Sequence, residues 1–401
     1  MERLQETPDG AHPPSQLDWI IIGGGVHGVH IAVRLLGGRH TTADRLRIVD
    51  PGPQLLLRWR ARVAVTGMSF LRSPSMHHLD EDSYSLERFA RVWPSSGEDS
   101  FTRPNNRPST ELFDAHCDAL IEAHGLEGTH VRDSAVQVNP GEDGVLVELA
   151  RTGSLRASRV VLALGLGENL DWPDWAPRND PRVAHIFDPA LRPLEASTPR
   201  VAIVGGGISA AQVALDAAGR GHEVELICRH AIRSHQYDSD PGWFGPKYMR
   251  GFERVRSAAT RRELISTARN RGSLPADVEA ALRAAVADGS VRLRIEEVQS
   301  LESRADGTAL TLAGGQRVDA DRVLLATGFS GTRPGGELVD RLVERSALPV
   351  APCGFPLVDS ELRWHPRIHV SGALAELEIG PIARNIAGAR RAGDRIVAAC
   401  R

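Results

Sequence analysis

One glycine-rich signature occurs twice in this sequence, and it constrains the fold more than any other feature. Residues 20–28 read IIIGGGVHG, and residues 201–210 read VAIVGGGISA. Each copy is a short apolar stretch followed by G-x-G-x-x-G or G-x-G-x-x-A and then by helix-forming residues. Such a turn presents backbone N–H groups at a helix N-terminus, where no bulky side chain blocks a pyrophosphate. The repeat therefore predicts two dinucleotide sites in one α/β chain.

A second repeated element supports this interpretation over the alternative of glycine turns that serve packing alone. Residues 160–165 read VVLALG, and residues 323–328 read VLLATG. Each is predicted to be a buried parallel strand that ends in a glycine, at the sheet edge where doubly wound folds bind ligands. Two such sites are typical of a flavin held next to a nicotinamide. We therefore predict two Rossmann-like domains, one for FAD and one for NADPH, with the NADPH domain inserted in the FAD domain.

The residue after the next strand distinguishes the two sites. Asp50 follows the stretch 46–49 and can accept hydrogen bonds from ribose hydroxyls while repelling a 2′-phosphate, which suits FAD. Arg229 follows the stretch 224–228, with Arg233 close behind. A guanidinium can bind a 2′-phosphate, so the second site suits NADPH better than NADH. A solvated arginine at a strand end is the alternative for Arg229.

Composition limits the class of protein. The 401 residues, 25% of them charged and 41% hydrophobic, suffice for two domain cores, and the formal net charge of -3 gives no indication of a nucleic-acid or membrane surface. The four cysteines are scattered and form no C-x-x-C pair, so neither a disulfide framework nor a zinc site is expected. With no signal-peptide pattern and no membrane-spanning apolar run, we expect a cytoplasmic enzyme; the sequence leaves homo-oligomer formation open.

The domain limits follow from the motifs. We predict a flexible arm over residues 1–16, a FAD domain over 17–199, an NADPH domain over 200–332 and a return to the FAD domain over 333–401. Pro381 is predicted to start a helix whose positive end faces the flavin pyrimidine, with a plain surface helix as the alternative.

Several segments resemble the class B flavin monooxygenases, most closely the lysine and ornithine N-hydroxylases. Residues 57–72, LRWRARVAVTGMSFLR, are similar to the flavin-flanking segments W-H-x-x-M and M-Q-x-S-F-L-K of that family. Residues 106–114 are similar to its R-x-E-F-x-D-Y helix start, and residues 326–329 to its A-T-G-Y. Gly67 stands where the family has glutamine, and the Baeyer-Villiger fingerprint F-x-G-x-x-x-H-x-x-x-W-P is absent. The sequence thus indicates a divergent branch whose amine substrate does not carry over.

The resemblance implies a reaction. NADPH would reduce FAD, the reduced flavin would form a C4a-(hydro)peroxyflavin with O2, and this species would oxygenate a nucleophilic nitrogen or sulfur of a small molecule. The alternative is an NAD(P)H-dependent flavin reductase or oxidase that passes electrons to a partner or disulfide without oxygen insertion. The missing C-x-x-C pair argues against a thioredoxin-reductase type, and a lone cysteine such as Cys353 leaves a single-thiol variant open. A flavin-containing redox sensor is a third interpretation, because the fold alone does not fix the function.

The predicted site residues come from the repeated motifs and from the resemblance to the N-hydroxylases. The cofactor-binding set is Gly23, Gly25, Gly28, Asp50, Arg58, Trp59, Gly67, Phe70, Leu71, Gly165, Gly205, Gly207, Ser209, Ala210, Arg229, Arg233, Thr327, Gly328, Gly372, Pro381 and Ile382. The predicted catalytic residues are Trp243, Lys247 and Arg72. The aromatic block 234–248 either lines the active site or plugs the domain interface.

Two further clusters contain residue types that are found in metal sites and in phosphate sites. The stretch 76–82 contains metal-ligand residue types, but its adjacent histidines diverge in direction, so we predict no metal and expect the histidines near the flavin. The arginines of residues 261–271 favour a solvated basic face over a phosphate site.

Overall fold

The fold is known from a computed structural model, which describes residues 17–94, 97, 100–167 and 169–400. The predicted arm over residues 1–16 lies outside the described residues. The strands are β1 (Leu17–Ile22), β2 (Leu46–Val49), β3 (Phe101–Thr102), β4 (Arg107–Pro108), β5 (His130–Val131), β6 (Ala135–Gly141), β7 (Gly144–Leu149), β8 (Ser154–Leu162), β9 (Val183–His185), β10 (Arg200–Val204), β11 (Glu223–Cys228), β12 (Arg233–Ser234), β13 (Ser273–Leu274), β14 (Val291–Ile295), β15 (Val298–Arg304), β16 (Gly307–Leu312), β17 (Arg317–Ala320), β18 (Arg322–Leu325), β19 (Arg363–His365) and β20 (Ile368–Val370).

Helices alternate with these strands along most of the chain. They are α1 (Val26–Gly37), α2 (Leu57–Thr66), α3 (Ser85–Ala90), α4 (Thr110–Ala123), α5 (Ile208–Gly219), α6 (Pro246–Arg254), α7 (Ala258–Ala268), α8 (Ala276–Ala287), α9 (Gly336–Ser346), α10 (Glu376–Ile379) and α11 (Ile386–Ala398). The predicted α/β class is confirmed.

The first sheet has the order β19-β20-β8-β1-β2-β5, with β7 and β6 attached to β8. Strands β1, β2, β5, β8 and β20 are parallel. β1 is buried along almost its whole length; α1 packs against it, and α11 packs against α1. Strands covered on both faces are continuously apolar, which explains the sequence of β1. The carboxyl ends of β1, β8 and β20 thus meet at one edge.

The second sheet has the order β14-β11-β10-β18-β9 and is parallel throughout. A three-stranded antiparallel sheet, β15-β16-β17, packs beside it. β9 lies before residue 199, the predicted end of the first FAD-domain segment, yet it pairs with β18. β20 returns to the first sheet and pairs with β8. The numerical division of the chain into domains stays a prediction.

The two sheets have separate apolar cores. One core surrounds β1, β8 and β20 and includes Trp243, Met249 and Phe252 from the segment between β12 and α7. The core of the second sheet has two parts: one lies around β10 and α5, and one lies between β10, β18 and the antiparallel sheet β15-β16-β17. The segment that carries Trp243 therefore packs against the first sheet although it follows β11 of the second. Within the described residues, no helix has both the length and the apolarity that crossing a membrane requires.

Candidate functional site

The first glycine turn joins β1 to α1. The Gly23 N–H donates to the Val49 carbonyl at 2.9 Å, which ties the turn to the neighbouring strand. A side chain at Gly28 would collide with the Gly23 carbonyl oxygen, so close packing of helix and strand requires glycine there. A Cβ atom at Gly25 would meet nothing within 4 Å. The turn therefore leaves open space beside the N-terminus of α1, where a phosphate group can approach the backbone.

Asp50 follows β2 and faces this turn. Its Oδ2 accepts a hydrogen bond from the Gly24 N–H at 2.8 Å, and its Oδ1 accepts one from the Gly52 N–H at 2.9 Å. Each carboxylate oxygen keeps further acceptor capacity. The turn thus orients the carboxylate, while its role as a ribose acceptor stays a prediction.

His27 is a candidate residue that the sequence analysis missed. Its Nδ1 lies 2.8 Å from Ser371 Oγ, and Gly372 lies beside the ring. Its Nε2 is buried and forms no well-shaped hydrogen bond among the described residues, although the Asn385 backbone lies close enough to the ring to oppose the lowering of its pKa. Burial lowers the pKa of His27 to about 4, so the ring is uncharged at neutral pH. The available signal was a histidine between Gly25 and Gly28, in a turn that otherwise consists of small and apolar residues.

Two strand-end glycines complete this edge of the sheet. Gly165 follows β8, and a Cβ atom there would meet nothing within 4 Å. Gly372 follows β20, whose neighbour is β8, and the Ser371 N–H donates to the Leu162 carbonyl at 2.9 Å. The structure therefore brings the first glycine turn, Gly165 and Gly372 together, as the repeated motif predicts.

The predicted flavin-flanking segment is held between both domains. The guanidinium of Arg58 lies next to Gly167, and the ring centroid of Trp59 is 5.0 Å from that of Phe113. Gly67 ends α2 with a φ of 61°, and a side chain there would press on Asp216 of α5. Gly67, which aligns in the sequence comparison with a glutamine of the N-hydroxylases, thus lies in close contact with α5 of the second domain.

The end of this segment is anchored to the start of α4. Phe70 forms an antiparallel bridge with Ser109, and the buried Leu71 donates its N–H to the Pro108 carbonyl at 2.9 Å. Their roles toward a flavin stay predictions.

Arg72 bridges the two domains. Its Nε donates to the Gln236 carbonyl at 2.8 Å, and its Nη2 donates to the His235 carbonyl at 2.7 Å and to Ser273 Oγ at 2.9 Å. Burial lowers the pKa of the guanidinium. All three contacts hold the segment after β12 and the strand β13 against the first domain. The geometry favours a positioning role over the predicted catalytic one.

The second glycine turn repeats the first. The Gly205 N–H donates to the Ile227 carbonyl at 2.9 Å, and a Cβ atom at Gly207 would meet only the Gly272 Cα, at 3.8 Å. Ser209 and Ala210 lie in the first turn of α5. This turn is also open beside a helix N-terminus.

The predicted 2′-phosphate residues lie beyond β11. Arg229 and Arg233 are both exposed, so their guanidinium groups are free to meet a ligand from solvent. The ring of His230 lies against Gly206 and Gly272 and covers one side of the turn. The sequence analysis did not single out His230. Selection for NADPH by the two arginines stays a prediction.

Thr327 and Gly328 lie where the two sheets are connected. Thr327 Oγ1 donates to the Asp171 carbonyl, and the Asp171 N–H donates to the Gly328 carbonyl at 3.0 Å. The next residue, Phe329, bridges to Leu170. The A-T-G motif therefore links the two segments, 170–171 and 327–329, in which the chain passes between the domains.

The predicted helix start at Pro381 is corrected by the structure. Pro381 is the first residue of a 3₁₀ turn, Pro381–Arg384, and the helix itself begins at Ile386. Asn385 has an extended backbone and caps α11, because its side chain accepts a hydrogen bond from the Gly388 N–H at 3.0 Å. Pro381 and Ile382 are buried in this turn.

The aromatic block lies at the domain interface. Trp243 is 9% exposed, and its ring centroid is 5.7 Å from that of Phe252. A Cβ atom at Gly380 would lie 3.8 Å from both of these rings and 3.4 Å from Met249 Sδ. Side chains that follow β12 thus enclose the glycine immediately before Pro381.

Lys247 lies at the edge of this cluster, next to Tyr248, whose ring centroid is 5.4 Å from that of Trp243. It is exposed, and its Nζ is 4.8 Å from the Tyr248 ring centroid. The structure does not bring it together with Trp243 or Arg72 through any hydrogen bond between described residues. Its catalytic role stays a prediction.

The prediction of a solvated basic face over residues 261–271 is wrong for three of its arginines. Arg262 and Arg269 form ion pairs with Glu376, which has no exposed surface, and Arg261 Nη1 lies 2.7 Å from Glu378 Oε2. The partners lie about a hundred residues away along the chain, in α10. These pairs fix α7 to the segment that leads to Pro381.

The histidines of the stretch 76–82 are buried and uncharged. Burial lowers the pKa of His77 to about 4 and that of His78 to about 3. The His77 ring meets Phe244 edge-on at 4.9 Å, and the His78 ring meets His116 at 5.1 Å. Among the described residues, no three His, Cys, Asp or Glu side chains are placed to hold a metal ion.

These features fit FAD at the first turn. The turn offers open backbone at Gly25, a carboxylate at Asp50 and a buried nitrogen at His27 that lacks a well-shaped hydrogen bond. A buried polar atom without a partner costs free energy, which a hydrogen bond to a cofactor would remove. The open turn at Gly207 fits a nicotinamide dinucleotide in the same way.

The profile of the FAD-NAD(P)-binding family matches residues 20–167 and 274–330, which together exceed half of the chain. The chain belongs to this family. The matched segments contain the first glycine turn and both strand-end glycines at 165 and 328. The predicted pair of cofactors, a flavin and a nicotinamide, is thereby confirmed as FAD and NAD(P). No curated protein matches the sequence.

Solved structures share the fold over nearly the whole chain. An ornithine N-hydroxylase from Kutzneria sp. 744, with reduced FAD, NADP+ and L-ornithine, is 17% identical at a TM-score of 0.77, with 96% of this chain and 99% of that chain covered. The reduced ornithine hydroxylase from Pseudomonas aeruginosa is 18% identical at 0.74, with 96% and 98% covered. A bacillithiol disulfide reductase from Bacillus cereus is 16% identical at 0.62, with 96% and 99% covered. The predicted resemblance to the class B flavin monooxygenases is confirmed for the fold.

Proposed function

We propose that the protein is an NADPH-dependent FAD monooxygenase that oxygenates a nucleophilic nitrogen or sulfur of a small molecule. The observation that carries the proposal is the enclosure of Gly380 by Trp243, Met249 and Phe252. Side chains that follow β12 of the second domain cover the turn at Pro381, which we assign to the flavin site of the first domain. An oxygenase needs such cover, because water at the reduced flavin diverts oxygen to hydrogen peroxide.

Each glycine turn has a distinct task in this proposal. Backbone N–H groups at Gly25 and α1 bind the FAD pyrophosphate, and Asp50 accepts from its ribose. The turn at Gly207 binds the NADPH pyrophosphate, and Arg229 selects its 2′-phosphate. When bound, reduced FAD supplies the activation of O2.

The remaining residues fix the position of one domain against the other and exclude water. Arg72 fixes the segment 235–236 through its carbonyls, and Arg391 of α11 donates to the Phe244 carbonyl at 2.8 Å. His27 offers Nε2 to the cofactor as an uncharged ring, so it adds no net charge beside the flavin. Positioning and shielding are the protein's part in this chemistry.

Fold similarity to hydroxylases of ornithine supports the monooxygenase, and fold similarity to a bacillithiol disulfide reductase favours a reductase as the second candidate. Of the four cysteines, all within the described residues, only Cys353 is exposed. A reductase would pass electrons to a disulfide or protein partner without oxygen insertion.

Rapid mixing separates these candidates. FAD-loaded protein is reduced with NADPH without oxygen and then mixed with oxygenated buffer. A monooxygenase gives a transient spectrum that is neither that of reduced nor that of oxidised FAD, and its lifetime increases with bound NADP+. Direct return to the oxidised spectrum under all conditions, together with disulfide reduction that disappears in Cys353→Ser, would establish the reductase instead.

Trp243→Ala tests whether Trp243 shields the flavin site from water. We expect this variant to retain FAD, to release more hydrogen peroxide per NADPH and to shorten the transient. Trp172→Phe is the control, because Trp172 packs with the core of the second sheet. Equal peroxide release in the Trp243 variant and wild type would contradict the assigned role.

A further inference from the structure

Three arginines surround one buried carboxylate next to the Pro381 turn. Glu376 of α10 has no exposed surface. Arg384 Nε donates to Glu376 Oε2 at 2.7 Å, and Arg269 Nη2 lies 3.3 Å from the same oxygen. Arg262 forms an ion pair with the other oxygen, Oε1. These four residues are called the arginine cluster below.

The arginine cluster holds more positive than negative charge. Asp238 adds a second carboxylate beside Arg269, and Arg271 adds a further guanidinium. Burial lowers the pKa of Arg269 to about 9 and that of Arg384 to about 10, so both groups stay charged at neutral pH. Buried positive charge that no carboxylate neutralises costs free energy unless an anion lies close to it.

Two N–H groups of the arginine cluster are available to such an anion. Arg384 Nη2 and Arg269 Nε are buried and form no hydrogen bond among the described residues. Buried polar groups normally have a hydrogen-bond partner, and a guanidinium can only donate. The two N–H groups therefore indicate an acceptor that comes from a bound molecule.

The arginine cluster lies between the Pro381 turn and the first glycine turn. Arg269 Nη2 donates to the Pro381 carbonyl at 3.3 Å. Arg384 ends the Pro381 turn, and the backbone of the next residue, Asn385, lies beside the buried ring of His27. His27 belongs to the first glycine turn, which we assign to FAD. The excess charge is thus placed at the FAD site rather than at the second glycine turn.

A helix N-terminus does not supply this charge at Pro381. The sequence analysis predicted that a helix starting there would direct its positive end at the flavin pyrimidine. The helix α11 begins only at Ile386, and its first turn is already capped by the Asn385 side chain. The positive charge at the Pro381 turn therefore comes from arginine side chains.

We propose that the arginine cluster stabilises the anionic form of reduced FAD. Oxidised FAD accepts a hydride from NADPH, which is two electrons and one proton, and gains one negative charge, while NADPH becomes NADP+. Positive charge in a site that excludes water stabilises this anion and has little effect on the neutral oxidised ring. The inference rests on the flavin assignment made in the proposed function but not on oxygen transfer, because a reductase forms the same anion.

The midpoint potential of bound FAD measures this stabilisation. FAD-loaded protein is reduced slowly by xanthine and xanthine oxidase, without oxygen or NADPH, beside a reference dye. Arg384→Gln should shift the equilibrium tenfold to a hundredfold towards oxidised FAD, which lowers the midpoint by about 30–60 mV for a two-electron couple. Glu376→Gln removes the negative charge of the cluster and should raise the midpoint. A merely structural role gives no reason for shifts of opposite sign.

The pH dependence of the midpoint gives a second measurement. Where the reduced ring is an anion, one proton accompanies two electrons and the midpoint falls by about 30 mV per pH unit; where it is neutral, two protons give about 60 mV. Loss of a positive charge makes the anion harder to form. The pH at which the slope changes should therefore rise by about one to two units in Arg384→Gln.

Two further variants are the controls. Arg384→Lys keeps the charge and should stay near the wild-type midpoint. Arg283→Gln removes one positive charge from an exposed site on α8 and should leave the midpoint unchanged. Should Arg384→Gln not fold, Glu376→Gln decides the sign of the effect.

An unchanged midpoint in Arg384→Gln, or shifts of the same sign in Arg384→Gln and Glu376→Gln, overturns the proposal. Equal loss of affinity for oxidised and reduced FAD would instead make the arginine cluster a partner of the pyrophosphate. The inference and the proposed function fail separately. Opposite shifts in a protein without any oxygen transient would refute the monooxygenase alone, and oxygenated product with an unshifted midpoint would refute the role of the arginine cluster alone.

Discussion

Replacing Arg72 gives the sharpest test of how the two domains are held together. Its guanidinium makes three hydrogen bonds across the interface, at 2.7 to 2.9 Å, to Gln236, His235 and Ser273. One such bond from a charged donor contributes about 1.5–3 kcal/mol. The three share one side chain, and the freed acceptors regain water in the variant. We therefore expect Arg72→Ala to lower the free energy of unfolding by about 2–4 kcal/mol.

Arg72→Lys separates geometry from charge. An ammonium keeps the charge but cannot reach two carbonyls and a hydroxyl in the arrangement that the planar guanidinium allows. We expect a loss of about 1–2 kcal/mol for this variant. Arg60→Ala is the control, because the ion pairs that Arg60 forms with described residues, Asp114 and Asp118, lie within the first domain. Its loss should stay near 1 kcal/mol or below.

Urea unfolding of the FAD-loaded proteins measures these differences. Tryptophan and flavin signals are followed separately, because a chain with two cores can unfold in two steps. In Arg72→Ala the two transitions should move apart. If the variant unfolds at the wild-type urea concentration and yet loses activity, Arg72 acts on the substrate, and the positioning role is wrong.

Four further predictions follow from the site. Gly25→Trp should purify without flavin, since its side chain fills the open space at α1, whereas Gly128→Trp on an exposed turn should stay yellow. His27→Phe should weaken FAD binding roughly tenfold to a hundredfold in equilibrium dialysis, because the cofactor loses its proposed hydrogen bond with Nε2; unchanged affinity would remove His27 from the site. Arg229→Ala should cost about 1.5–3 kcal/mol of NADPH binding and little of NADH binding, and equal losses would make Arg229 structural. The pKa values of His27, His77 and His116 lie near 4 in the fold, against 6.5 when unfolded, so protonation favours the unfolded chain. Stability should be intact above pH 6.5 and fall by about 1.4 kcal/mol per histidine and pH unit towards pH 4; a flat urea midpoint between pH 7 and 5 would contradict this.

The sequence was most informative where a local pattern determines a local structure. Both glycine turns, the strands before them and the helices after them lie where predicted, because strand burial and close helix packing each restrict residue type within a few positions. The start of α11 was predicted wrongly. Proline at 381 and asparagine at 385 are both good helix starts, and only the tertiary structure selects Asn385.

Long-range partners were beyond prediction. Arg262 and Arg269 look like surface residues in sequence, and nothing local reveals that Glu376 is buried between them. Arg72 likewise finds its acceptors more than 160 positions away. A single sequence shows which residues are charged but not which distant residue neutralises them. The arginines of residues 261–271 were therefore predicted to face solvent, and Arg72 was predicted to be catalytic.

The pairing of β8 with β20 has a consequence for biosynthesis. β8 ends at Leu162, whereas its neighbour β20 begins at Ile368, and the whole second sheet is translated between them. A nascent chain on the ribosome therefore carries an unpaired strand edge until residues 368–370 emerge, and such edges attract other chains. Ser371 and Gly372, which face His27, also arrive only then. Full retention of FAD is therefore expected only after the second domain has been translated.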